Sequence, residues 1–135
     1  MTVDKRIEPN WLDPKDAIAI HDRQLAEHGG GAGVRDSGLL ESALARPVNR
    51  WTYGEDDPAA LAAANAFGIA RNHPFIDGNK RTAWVIARLF LALNGHELRF
   101  SAADAIAMML DLAAGTLPED AAADWFRSRL AVTQS

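Results

Sequence analysis

His73, Asp77, Lys80 and Arg81 lie close together in the run His73-Pro74-Phe75-Ile76-Asp77-Gly78-Asn79-Lys80-Arg81-Thr82, and their types suit phosphate chemistry. A histidine with an ordinary pKa of about 6.5 suits a general base that takes a proton from a hydroxyl at neutral pH. Pro74 pushes His73 out of the α region, so a helix ends by Asn72 and the imidazole leaves from the start of a loop. Gly78 stands between two short polar residues, as expected where backbone turns at positive φ or closely approaches a ligand. Asn79 then reads as the N-cap of a following helix. Lys80 and Arg81 fall in the first turn of that helix, where the macrodipole disfavours cations by about 0.3–1 kcal/mol each. The free N–H groups of such a turn attract an anion, and the two cations raise its affinity for phosphate at the helix's expense. A segment that violates its own local preference in this way points to function. Asp77 beside a phosphate is a natural ligand for Mg²⁺, an ion usually held by one or two carboxylates plus substrate phosphates.

Taken singly, these residues have plainer roles. A His-Pro turn is usually structural, and Asp77 could cap the next turn. Their concentration in an otherwise apolar stretch is what favours a site. Arg71, two residues before His73, either faces solvent or points into the same cleft, and the cleft is the preferred reading. Phe75 and Ile76 read as core anchors, and His21 as a satisfied core histidine. His28 and His96 read as exposed, Arg88 as the partner of a carboxylate, and Trp84 and Trp125 as core.

The elements that must position this segment are helical. Alanine is abundant, β-branched residues are sparse, and apolar positions recur at three to four residues. Asp13, Pro14 and Asp16 form a helix start, and Gly29-Gly30-Gly31 a stop, with Ile18, His21 and Leu25 on the inner face. A second helix follows Asp36, carries Leu39, Leu40, Ala43 and Leu44, and stops near Arg46 because Pro47 follows. Residues 48–57 then form a loop. Asp57-Pro58 opens a buried helix to about Asn72, and a helix from Asn79 to Asn94-Gly95, apolar nearly all round, is expected at the centre. Ser101 with Asp104 caps a fifth helix, stopped by Gly115, and Thr116 with Glu119 opens a sixth that packs Trp125, Phe126 and Leu130. The fold class is therefore all-α: one domain over residues 1–135, with its core from about 12 to 130, built as a compact bundle of about six helices around a central buried motif helix.

Composition bounds the rest. At 135 residues the chain fits a single domain, and 48% hydrophobic against 24% charged residues is ordinary for a globular protein. Acids outnumber bases 18 to 14, for a net charge of -4, which disfavours direct nucleic-acid binding. The absence of cysteine excludes a disulfide scaffold, a thiolate zinc site and a cysteine nucleophile, and fits the cytoplasm. The first residues, MTVDKRIEPN, carry no apolar h-region, so neither a signal peptide nor a membrane span is expected.

The run from His73 to Ala83 resembles the signature of the Fic/Doc (Fido) family. The flanks Gly33-Val34-Arg35-Asp36-Ser37-Gly38-Leu39-Leu40-Glu41-Ser42-Ala43 and Asn94-Gly95 look like its death-on-curing toxin branch, from about Leu12 to Leu130. The resemblance implies ATP and Mg²⁺ as ligands. It implies His73 as the base acting on the acceptor hydroxyl, Asp77 as the Mg²⁺ ligand, Gly78 and Asn79 as the phosphate-cradling turn, and Arg81 as the phosphate-gripping arginine. Phe75 matches the family's buried aromatic anchor. Lys80 matches the death-on-curing toxin, associated with phosphoryl transfer onto a threonine of elongation factor Tu, whereas AMP-transferring members have glycine there. Pro74 and Gly78, in contrast, are as in the AMP transferases. A long cation at position 80 is read as reversing the triphosphate so that the γ-phosphate faces the acceptor.

No inhibitory helix of pattern Ser/Thr-x-x-x-Glu-Gly/Asn is accepted, because the nearest match, Ser37 to Ser42, ends in serine. The branch therefore implies a cognate antitoxin acting in trans. The expected function is that of the toxin of a type II toxin-antitoxin system, an ATP-dependent protein kinase acting on an elongation factor Tu-like acceptor. The alternatives are AMP transfer by the same residues and a non-catalytic helical partner-binding module. A helix-turn-helix DNA reader is weaker, because the helix opened by Lys80 and Arg81 is too apolar to lie in a groove. The 48–57 segment, with Trp51 and Tyr53, either clamps an acceptor segment as flaps do in the family or packs on the bundle.

Overall fold

The chain forms six α-helices, with no strand, among the described residues, 6–131 of the computed structural model. They are α1 (Pro14–His28), α2 (Ser37–Thr52), α3 (Pro58–Asn72), α4 (Asn79–Leu93), α5 (Ala102–Ala114) and α6 (Glu119–Arg129). The reading of the leader falls partly on residues 1–5, which lie outside the described residues. No helix among the described residues is long and apolar enough to cross a membrane.

Local signals account for several boundaries. Asp13 accepts from the Asp16 N–H while Asp16 accepts from the Asp13 N–H, a capping box that starts α1 with Pro14 in its first turn. Asp57 accepts from the Ala59 N–H ahead of Pro58 to start α3, and Ser101 accepts from the Asp104 N–H to start α5. Gly115 ends α5 in the left-handed conformation.

Packing overrides local signals elsewhere. The inner face of α1 is Ala17, His21 and Gln24, whereas Ile18 is exposed and Leu25 half-buried. The helix is turned this way because the His21 ring stacks on Phe75 at 4.0 Å. The second helix does not stop at Arg46 but continues through Pro47 to Thr52, so residues 48–52 are helical rather than loop. An interior proline removes one helical hydrogen bond and crowds the carbonyl four residues back, at about 3 kcal/mol. Two features offset this. Arg46 and Arg50, flanking Pro47 one turn apart, both pair with the buried carboxylate of Glu119 on α6. Gly68 on α3 admits the Ala43 backbone, since a Cβ there would stand 2.8 Å from the Ala43 carbonyl oxygen. Glu119 also begins α6, whose N-cap is Pro118 without a side-chain bond, while Thr116 donates instead to the Asp111 carbonyl.

One hydrophobic cluster draws on all six helices. Of the two helices flanking the 73–78 loop, α3 is the more enclosed and packs against α2, α4, α5 and α6, while α4 lies along it and keeps Lys80, Arg81 and Arg88 outward. The loop thus leaves the centre of the bundle and returns to it.

Candidate active site

The 73–78 loop is held by its own backbone and by segments far away in sequence. His73 ends α3 at φ 48° and ψ 55°, donating its N–H to Ile69 at 3.2 Å, and is the one non-glycine residue at positive φ among those described. Pro74 does end the helix, but by a left-handed turn rather than an extended one. Holding a non-glycine residue there costs on the order of 1–3 kcal/mol and persists only where surrounding contacts enforce it. The contacts come from the segment before α2. Val34 forms an antiparallel bridge with Phe75, Ile76 donates to the Gly33 carbonyl, and the Arg35 and Asp36 N–H groups both donate to the Pro74 carbonyl. The Arg35 guanidinium donates to the carbonyls of His73 at 2.7 Å and Asn72 at 2.8 Å.

The middle of the loop is anchored inward. Phe75 is buried against His21, as the anchor reading required, but Ile76 is 59% exposed and lines the cleft instead of the core. Asn79 is not the N-cap. It is the first residue of α4, buried, with its amide accepting from the Phe75 N–H and donating to the Phe75 carbonyl, both at 2.9 Å. Spanning both backbone groups of Phe75 satisfies more buried polar atoms than a cap would. The cap position falls to Gly78, left-handed at φ 74°, which carries no capping side chain.

Asp77 is fixed at both ends. Its carbonyl accepts from His21 Nε2 at 2.8 Å, which assigns that ring nitrogen the proton. One carboxylate oxygen accepts from the Gly78 N–H at 2.8 Å and the other from the Gly31 N–H at 3.3 Å. These two N–H groups, Gly78 first, hold its carboxyl below the usual carboxylate range, with a smaller contribution from Arg81. The group is therefore an ionised hard-oxygen donor. No cluster of three or more histidine or acidic side chains suited to a metal exists among the described residues. A cation at Asp77 must complete its sphere with phosphate oxygens and water, which suits Mg²⁺.

These groups open onto one cleft of about 810 Å³. His28, His73, Asp77, Lys80 and Arg81 line its polar end, with the uncapped first turn of α4 between them. Trp84, Phe100, Ile106, Met109 and Leu110 form an apolar wall. The arrangement can hold a phosphate against the helix N-terminus, a divalent cation at Asp77 and a hydroxyl near His73.

His73, Asp77, Gly78, Asn79, Lys80 and Arg81 are thus brought together, but Arg71 is not. Its guanidinium lies against Gly115 and over Phe67, because α3 turns this residue toward the end of α5. Arg88 pairs with no carboxylate among the described residues and lies over Phe100 at 4.8 Å. His28 is exposed as expected and reaches the rim of the cleft, while His96 is half-buried; Trp84 packs on Trp125 and Phe126 but also lines the cleft. Within 48–57, Trp51 packs edge-on against Trp11 and Tyr53 is exposed. Tyr53 lines a separate cleft of about 690 Å³ with Arg46 and Arg50. The segment that runs beside the motif is 33–36 instead. Sequence reasoning missed Gly31, Arg35 and the α5 wall. The available signals were a triple glycine longer than a helix stop needs and an α5 apolar on more than one face.

The sequence that builds this site has relatives among known proteins. The sequence model of the Fic/DOC family matches residues 11–91, and the chain belongs to that family. Among its relatives, "Toxin Doc" of Mycolicibacterium smegmatis is 51% identical over 91 residues, covering 65% of this chain and 67% of that protein. "Protein kinase doc" of Escherichia phage P1 is 33% identical over 117 residues, covering 86% of this chain and 92% of that protein.

Proposed function

We propose that this chain is the toxin of a toxin-antitoxin pair that transfers the γ-phosphoryl group of ATP to a serine or threonine hydroxyl of an elongation factor Tu-like protein. The observation that carries this reading is the convergence of His73, the fixed carboxylate of Asp77 and the uncapped, doubly cationic start of α4 on one cleft. The relatives named as a toxin and as a protein kinase support it.

In this mechanism His73 takes the proton of the acceptor hydroxyl as its oxygen bonds to the γ-phosphorus. The bond from the γ-phosphorus to the bridging oxygen breaks, and ADP leaves. Asp77 would hold Mg²⁺, which when bound would neutralise phosphate charge. The α4 N–H groups, with Lys80 and Arg81, bind the phosphates and stabilise the charge that develops on them. The apolar wall of Trp84, Phe100 and Met109 excludes water from one side of the cleft. The same residues serve AMP transfer with the nucleotide reversed, a second reading that rests on Pro74 and Gly78. An antitoxin partner and a cytoplasmic site of action follow from the toxin reading.

Expression from a tightly repressed promoter in a bacterial host tests this. Growth arrest by the wild-type chain, abolished by His73→Ala and by Asp77→Asn at equal protein levels, is the expected result. Arrest that persists in both variants would instead identify a non-catalytic binding module.

A further inference from the structure

We infer that Arg35 is a positioning residue for His73, its guanidinium holding the left-handed turn that aims the imidazole into the cleft. This inference rests on the reading of His73 as the base. Arg35 Nε donates to the carbonyl of His73 and Nη2 to that of Asn72, at 2.7 and 2.8 Å. These are the last two residues before Pro74, whose ring carries no N–H to continue the helix. The guanidinium takes no carboxylate partner among the described residues, so its charge faces the negative end of the α3 macrodipole. Its planar fork suits two adjacent carbonyls in fixed geometry, which the point charge of a lysine does not reproduce.

The turn it grips is the one non-glycine left-handed residue among those described, and His73 lines the cleft. Strain stored at one residue needs an external clasp, and the side chain of Arg35 is the polar group that reaches its carbonyl. The backbone around it has a separate hold, since the N–H groups of Arg35 and Asp36 both donate to the Pro74 carbonyl. Removing the guanidinium therefore leaves segment 33–36 in place and releases only the turn at His73.

The test compares Arg35→Ala and Arg35→Lys with the wild-type chain by histidine-ring NMR, Mg·ATP binding calorimetry and transfer kinetics. In both variants the His73 ring resonances should shift or broaden while those of His21, His28 and His96 hold. Mg·ATP affinity should stay within about twofold, and kcat should fall about 10-fold with KM for ATP little changed. Unmoved His73 resonances, or an unchanged kcat in Arg35→Ala, would overturn the assignment. So would loss of Mg·ATP binding together with disturbance of all four rings, since that marks a general structural role. If the wild-type chain transfers no phosphate, the functional reading fails on its own, and the NMR comparison still decides whether Arg35 holds His73.

Discussion

The carboxylate of Asp77 accepts a hydrogen bond from the N–H of Gly31, a residue 46 positions earlier in the chain, at the turn that ends α1. With the Gly78 N–H on its other oxygen and His21 on its carbonyl, the side chain is fixed before any ligand arrives. The carboxylate proposed to hold Mg²⁺ is thus positioned jointly by the motif loop and by the turn after α1.

Asp77→Asn should weaken Mg·ATP binding at least about 10-fold, near 1.4 kcal/mol, while leaving the melting temperature within a few degrees because the side chain is exposed. Calorimetry with and without Mg²⁺ checks the first expectation and thermal unfolding the second. The pH dependence follows from the lowered carboxyl. A depressed folded-state pKa favours the folded chain above the ordinary value of 3.8, and that contribution is lost as pH falls through the lower folded value. Protonation of Asp77 should therefore not weaken metal binding between about pH 8 and pH 5. An acid limb centred in that range and removed by Asp77→Asn would contradict this.

Gly30 and Gly29 make a matched pair. A Cβ on Gly30 would stand 2.8 Å from Asp77 Oδ2, whereas one on Gly29 meets nothing within 4 Å, and both residues have positive φ. Each alanine variant should lose about 1–3 kcal/mol of stability from the backbone alone. Only Gly30→Ala should also weaken Mg·ATP binding, measured side by side by calorimetry.

Asn79→Ala should cost about 2–3 kcal/mol in denaturant unfolding, because both polar groups of the buried Phe75 backbone lose their partner. Asn79→Asp keeps an acceptor for the Phe75 N–H but has no donor for its carbonyl, so its stability should not recover fully. A variant as stable as wild type would show that the amide does not hold the loop.

Gly68→Ala tests the passage of α2 through Pro47. The added methyl meets backbone atoms of Ala43, oxygen at 2.8 Å and Cα at 3.0 Å, rather than a side chain that can swing away. Destabilisation of about 1–3 kcal/mol is expected despite alanine's better helix propensity, and a stabilised variant would contradict the close approach.

Much of the candidate site was legible because its polar groups are neighbours in sequence. His73, Asp77, Lys80 and Arg81 sit at a helix end, a turn and a helix start, each with a local signature. The helix limits set by Asp13, Asp57 and Gly115 were legible for the same reason. Arg35 and Gly31 were not, because only tertiary folding carries them to the loop; His21 is the satisfied core histidine expected, but its partner, the Asp77 carbonyl, lies 56 positions away and no local pattern points to it. Asn79 is a good cap by type, yet the buried backbone of Phe75 was the stronger claimant on its amide. Pro47 is a helix stop by every local rule, overcome by ion pairs to Glu119 that no pattern announces. Arg71 depended on the rotation of α3 about its axis, which spacing from His73 does not fix.

The most direct test of phosphoryl transfer with His73 as base incubates the purified chain, free of any antitoxin, with elongation factor Tu and Mg·ATP labelled at either the α- or the γ-phosphate. Wild-type, His73→Ala and Lys80→Gly proteins are compared. Transfer of γ-label alone is expected, abolished by His73→Ala and turned toward α-label by Lys80→Gly. Transfer of α-label by the wild-type chain, γ-transfer that survives His73→Ala, or no transfer of either label would contradict it.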